Sequence, residues 1–138
     1  MAFVLDVSIA AKWFFPDERS RLADDLLDRV LFEGAYAPAL FRWEIENVLL
    51  GAERADRIEP NDVDEALDSL RNLPIRIEPP GERFFSGNEV QLARHYNLTP
   101  YDAAYLSLAA SHSLPLATAD DALAYAARDL GITVISVP

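Results

Sequence analysis

The sequence predicts an α/β domain with a mainly parallel sheet of about five strands, and three observations carry that prediction. Short runs with strand character recur at residues 3–7 (FVLDV), 35–38 (AYAP), 75–78 (IRIE), 115–118 (PLAT) and 132–137 (ITVISV). Stretches with apolar residues at helical spacing, six or seven in all, separate them, and alternation of this kind builds parallel sheets through crossover helices. No repeat, low-complexity tract or interdomain linker interrupts the pattern. At 138 residues the chain reads as one domain, 1–138, able to bury roughly two-thirds of its unfolded surface.

The elements follow in order. FVLDV is a short buried strand, and Ser8 is placed to cap a helix from Ile9 that stops at Pro16. Residues 18–32 set Leu22, Leu26, Leu27, Val30 and Leu31 on one side and Asp24, Asp25 and Asp28 on the other, with Gly34 as the stop. AYAP is a brief strand closed by Pro38. A helix from about Leu40 to Asp56 is expected to bury Leu40, Trp43, Val48 and Leu49. Asn61 is placed as the cap of the next helix, which shows Val63, Ala66, Leu67 and Leu70. IRIE alternates like a half-exposed strand, and Pro79-Pro80-Gly81 marks a loop. Helices at about 84–96, 100–112 and 121–129 complete the set, the last stopped by Gly131.

Composition narrows the function. Twelve basic and 23 acidic side chains give a net charge of −11. A protein held on nucleic acid by broad electrostatics is basic, so any such contact here is local and carried by bound cations. The acidic surface alternatively suits a basic protein partner. There is no cysteine, which excludes disulfides and thiolate metal sites and makes a reducing cytoplasm the simplest home. No stretch approaches the roughly 20 apolar residues of a membrane span. The N-terminal MAFVLDVSIAAKWFF lacks a basic lead-in and carries Asp6 in its apolar run, against a signal peptide.

Four acids stand out: Asp6, Glu44, Asp102 and Asp120 each lie where an apolar run hands over to a helix. Each has a structural explanation of its own. Asp102 lies three residues after Thr99 and two after Pro100, close to a capping box. Asp120 suits a helix cap, Glu44 suits the positive end of a helix dipole, and Asp6 ends a strand. Together they point elsewhere, because a cap needs one oxygen and Ser or Asn serves as well. In a parallel sheet, the turns after the strands share one edge, where ligands bind. Carboxylates converging there repel unless a hard divalent cation joins them, and Asp6 in an apolar run is costly unless paired or metal-bound.

Asp6-x-Ser8, PALFRWEIENVL with Glu44, TPYDAAYLSLA with Asp102 and TADDAL with Asp120 resemble, in that order, the PIN-domain ribonucleases and within them the VapC-type toxins of toxin–antitoxin pairs. The resemblance covers essentially the whole chain. It implies a three-layer α/β/α domain and a Mg²⁺-dependent (or Mn²⁺-dependent) endoribonuclease that cuts RNA as a homodimer. A cognate VapB-like antitoxin would silence it by placing a basic tail in the acidic groove. It also makes Asp6, Glu44, Asp102 and Asp120 the catalytic quartet, with Asp6 and Asp102 as metal ligands. Ser8 and Thr118 match polar positions beside the first and last acids, and Asn47 an amide three residues after Glu44. Asp121 stands beside Asp120 as an alternative fourth member, with Asp120 favoured directly after Thr118-Ala119.

The chemistry is self-consistent. Phosphodiester hydrolysis needs an activated water and neutralised phosphate charge, both of which Mg²⁺ supplies, and the metal inverts the local sign on an acidic protein. His95 and His112 read as structural, near helix C-termini. Lys12, Arg42 and Arg54 border the proposed site and read as ordinary surface charge. Trp13, Phe14 and Phe15 read mostly as core, with one of the three on a partner surface. Two rivals remain. One is a non-catalytic PIN-like module binding RNA or protein, which an intact quartet disfavours. The other is a different Mg²⁺-dependent phosphoryl-transfer enzyme, but a phosphatase of the haloacid-dehalogenase type shows Asp-x-Asp where this chain has Asp6-Val7-Ser8, and a receiver domain wants an acidic pair there.

Overall fold

The computed structural model describes residues 1–79 and 88–138. Within them, five parallel strands form one sheet: β1 Phe3–Leu5, β2 Ala35–Pro38, β3 Ile75–Glu78, β4 Leu116–Thr118 and β5 Val134–Ser136. Among the described residues, seven α-helices connect them: α1 Val7–Lys12, α2 Arg21–Glu33, α3 Phe41–Arg54, α4 Pro60–Arg71, α5 Glu89–Tyr96, α6 Pro100–His112 and α7 Asp121–Asp129. The three-layer α/β arrangement is the one the sequence predicts, and the sheet is wholly parallel.

The strand order is β3-β2-β1-β4-β5. The chain starts at the centre, builds outward through β2 and β3, then returns to add β4 and β5 on the other side. The order therefore reverses between β1 and β4, and the crevice beyond the carboxyl ends of such a pair is where open α/β sheets bind ligands. Leu5 pairs with Ala117 across this seam, and the Asp6 amide extends the ladder to the Ala117 carbonyl at 3.1 Å. β1 and β4 are fully buried, as strands covered by helices on both faces must be.

Several boundaries differ from expectation for identifiable reasons. β1 ends at Leu5, and α1 begins at Val7 with Asp6 rather than Ser8 in the N-cap position. The Ser8 hydroxyl is drawn to groups across the sheet instead. α1 stops at Lys12, ahead of Pro16, and a short 3-10 turn, Pro16–Glu18, precedes α2. Ser20 caps α2 by accepting from the Ala23 amide at 3.1 Å. Asn61 lies inside α4, whose cap is Glu59 in a reciprocal box with Asp62. β4 begins one residue later than expected, at Leu116, and β5 covers only Val134–Ser136. The expected helix over 84–96 is observed as α5 from Glu89; residues 84–87 lie outside the described residues, as do Pro80 and Gly81.

The core is built around Phe3, Leu5, Ile9, Leu49, Leu106, Leu116 and Leu123. Trp13 and Phe15 join it, Phe14 packs against it partly buried, and the Trp13 indole donates to the Ala23 carbonyl at 2.8 Å. Leu22, Leu31 and Trp43, expected in the core, are exposed, while Leu40 and Val48 are partly buried against it. These residues sit at the margins of their apolar stripes, where helical spacing does not decide coverage. Gly34 (φ +77°) and Gly131 (φ +79°) occupy the left-handed region after α2 and α7, a conformation that favours glycine. Among the described residues, no helix is long and apolar enough to cross a membrane.

Candidate active site

The fold brings the four acids to one edge by three routes. Asp6 directly follows β1, and Asp120 lies two residues past β4, so both flank the reversal point of the sheet. Glu44 is in the first turn of α3, shortly after β2. Asp102 arrives differently: α6 runs back to feed β4, so its N-terminal turn lies at the same carboxyl edge.

Asp6 anchors the site. It is 6% exposed, and its Oδ2 accepts both the Ser8 hydroxyl at 2.6 Å and the Thr118 hydroxyl at 2.8 Å. Neither hydroxyl serves Asp6 alone. Ser8 Oγ accepts the Ala119 amide at 3.0 Å, and Thr118 Oγ1 accepts the Asp120 amide at 3.0 Å. This network ties the start of α1 to the β4–α7 turn. Both hydroxyls approach Oδ2, and the Val7 amide also donates to this carboxylate.

Around Asp6 the charges are alike. Burial pushes the Asp6 carboxyl above its ordinary range, and Asp102 raises it further against the lowering effect of the two hydroxyls. Glu44 is raised by burial and by Asp6 and Asp102; Asp102 is raised by burial and by Asp120. Among the described residues, no Lys, Arg or His pairs with any of the four. The quartet is thus gathered closely enough to repel, and no cation among the described residues relieves it.

Asp120 and Asp121 separate clearly. Asp121 is exposed, whereas Asp120 is half-buried, acts on Asp102, and caps α7 by accepting the Ala122 and Leu123 amides on Oδ1 at 2.9 and 3.1 Å. One carboxylate therefore both caps α7 and lies near Asp102. Asp102 likewise combines its place in the cluster with a first-turn position, where its amide donates to the Thr99 cap at 3.1 Å.

Tyr105 was not singled out by sequence. It is fully buried, and its hydroxyl donates to Glu44 Oε1 at 2.7 Å. Burial, then Glu44, Asp6 and Asp102, push its own ionisation out of the physiological range, so it acts as a permanent donor. The available signal was its position three residues after Asp102, one helical turn along the same face. Asn47 is exposed and lines a cleft with Glu44. Arg42 pairs with Glu46 along α3 at 3.9 Å. His112 stacks on Tyr36 and approaches Glu78 at 3.4 Å, away from the acids.

A hard divalent cation fits this donor set: oxygen ligands only, a buried carboxylate, and like charge that no cationic side chain among the described residues relieves. Among the described residues, no three acids close into a ready cage. Mg²⁺ does not require one, since it keeps several waters and commonly binds through one or two carboxylates.

The profile of the PIN domain matches residues 3–129, from β1 to the end of α7. The chain belongs to the PIN domain family. Among solved structures, this PIN domain is similar to FitAcB from Neisseria gonorrhoeae (20% identity over 99% of this chain and 97% of that one, TM-score 0.70). It is also similar to a toxin–antitoxin complex from Klebsiella pneumoniae (20%, 86% and 86%, TM-score 0.60) and to VapBC2 from Rickettsia felis bound to a promoter DNA fragment (11%, 99% and 98%, TM-score 0.65). At these identities the likeness is one of fold. No significant match is found among curated proteins.

The raised carboxyls predict the pH response of the metal-free protein. A group whose folded pKa exceeds its unfolded value holds more protons when folded. Its stabilising contribution is therefore complete below the unfolded pKa and is lost as pH rises through the folded one. Asp6, Glu44 and Asp102 all shift in this direction. In EDTA, stability relative to an Asp6→Asn variant is expected to fall as pH rises from about 4 through the raised carboxylate range. Melting curves of both proteins across that range test this, and a pH-independent difference would contradict it.

Proposed function

We propose that this single PIN domain is a metal-dependent endoribonuclease, the toxin of a type II toxin–antitoxin pair. The observation that carries the reading is the gathering of Asp6, Glu44, Asp102 and Asp120 at the β1/β4 reversal, with no cationic side chain among the described residues paired to them. Asp6 and Asp102 hold Mg²⁺ or Mn²⁺. When bound, the ion supplies a water of lowered pKa and neutralises charge on the phosphodiester. Asp6 is kept in place by Ser8 and Thr118. Glu44, oriented by the Tyr105 hydroxyl and raised in proton affinity, accepts the proton of the attacking water. Asp120 keeps one oxygen on the α7 amides and adds negative charge beside Asp102.

The similar folds of toxin–antitoxin assemblies support an antitoxin partner. The net charge of −11 suits a basic antitoxin tail laid into the acidic groove. The active form is a homodimer in the cytoplasm.

The test is direct. Protein freed of co-purified antitoxin is incubated with total RNA in Mg²⁺, in Mn²⁺ and in EDTA. Cleavage is expected with either metal and none in EDTA. Metal-independent cleavage, or none under any metal, overturns the reading.

A further inference from the structure

Two exposed aromatic side chains border the acidic groove without a part in the metal chemistry. Trp43 stands one residue before Glu44 in the first turn of α3, and Tyr101 one residue before Asp102 in the first turn of α6. They are 63% and 64% exposed. With Leu40, Glu44 and Asn47 they line one cleft of about 400 Å³. The cleft is continuous with the proposed site because Glu44 belongs to both.

Charge argues for what this cleft takes. Among the described residues no Lys or Arg lines it, and the protein carries −11 overall, so broad phosphate attraction is not what this cleft offers. Stacking does not depend on that sign, because every nucleobase offers a π-face to an aromatic ring. A base in a duplex has both faces occupied, so a stacking surface of this kind selects an unpaired nucleotide. The Asn47 amide adds a donor and an acceptor for a base edge. We propose that Trp43 and Tyr101 form a stacking platform that holds an unpaired nucleotide of RNA, and with it the adjoining phosphodiester, beside Glu44 and Asp102. The proposal rests on the ribonuclease reading above and adds Trp43 and Tyr101 as the residues that position the substrate.

The chain has two tryptophans, and Trp13 is buried, so solvent-sensitive emission reports Trp43. Wild type is titrated with a short single-stranded oligoribonucleotide in Ca²⁺, beside an abasic oligomer of equal length and a duplex. The single strand is expected to quench the emission and the other two to leave it largely unchanged. Trp43→Ala and Tyr101→Ala are each expected to weaken single-strand binding about 5- to 150-fold, with Trp43→Phe and Tyr101→Phe retaining most of it. Equal quenching by the abasic oligomer, or unchanged affinity in both alanine variants, overturns the platform. Sedimentation that shows Trp43→Ala converting a dimer to monomers with RNA affinity per chain intact also overturns it, assigning the patch to a second copy. Cleavage in Mg²⁺ is followed in parallel: wild-type cleavage with unaltered alanine-variant affinity removes the platform alone, whereas no cleavage with any metal removes the ribonuclease reading.

Discussion

Asp6→Asn is expected to abolish RNA cleavage while making the metal-free protein more stable. The two effects have opposite signs because the same carboxylate is poor for folding and, in the proposed function, a ligand of the metal. Asp6 is almost completely buried and faces Asp102, so its charge is unfavourable until a cation arrives. Asparagine has nearly the same shape, and its side-chain oxygen accepts the Ser8 and Thr118 hydroxyls that now reach Oδ2. Relief of a strained functional site typically gains about 0.5–2 kcal/mol, a rise of a few degrees in melting temperature for a domain of this size. The activity cost is larger. Losing a metal ligand forfeits several kcal/mol of transition-state charge stabilisation, on the order of a thousandfold in rate. Asp102→Asn is expected to lose activity comparably with a smaller gain in stability, since Asp102 is only half-buried. Melting curves in EDTA and in Mg²⁺, beside cleavage assays, decide it. An Asp6→Asn protein that cuts RNA, or that gains as much stability from Mg²⁺ as wild type, would remove Asp6 from the metal site.

Much of this site was legible in the sequence because its parts are local. FVLD and PLATAD each show an apolar run ending at a polar turn, and Thr99-Pro100 marks the start of α6, so the acids could be placed at strand ends and helix starts. What was not legible depends on partners far along the chain. Ser8 has the right position for a helix cap, yet its hydroxyl is engaged by Asp6 and by the Ala119 amide, 111 residues away. Beyond its spacing from Asp102 nothing local marks Tyr105, and its polar end finds Glu44 only once the fold brings α3 and α6 together. Asp120 and Asp121 are equivalent as cap candidates in sequence, and burial separates them. Trp43 sits on an apolar-looking stripe whose margin the fold leaves uncovered, next to the groove. Period identifies a helix face; packing decides how far round that face the core extends.

Thr118→Val is expected to destabilise the protein by about 1–3 kcal/mol and to lower cleavage about 10- to 100-fold. Thr118 is 1% exposed, and valine keeps its branched shape, so the change isolates the hydroxyl. That hydroxyl donates to Asp6 Oδ2 at 2.8 Å and accepts the Asp120 amide at 3.0 Å. Valine leaves the amide without this acceptor and leaves Asp6 with one hydroxyl, Ser8, instead of two. The loss falls on orientation and charge together. Asp6 is freer to turn, its carboxylate is less favoured over the acid, and Mg²⁺ competes less well with a proton. The cleavage deficit should therefore shrink as pH or Mg²⁺ is raised, while the stability deficit at fixed pH in EDTA persists. Thr118→Ser, which restores the hydroxyl, should recover most of both. Ser8 Oγ lies 3.4 Å from Thr118 Oγ1, and both serve the same oxygen, so Ser8→Ala and Thr118→Val should combine non-additively in a double-mutant cycle. Strict additivity, together with a cleavage deficit insensitive to Mg²⁺, would mean that the two hydroxyls support the fold separately and do not jointly present Asp6 to a metal.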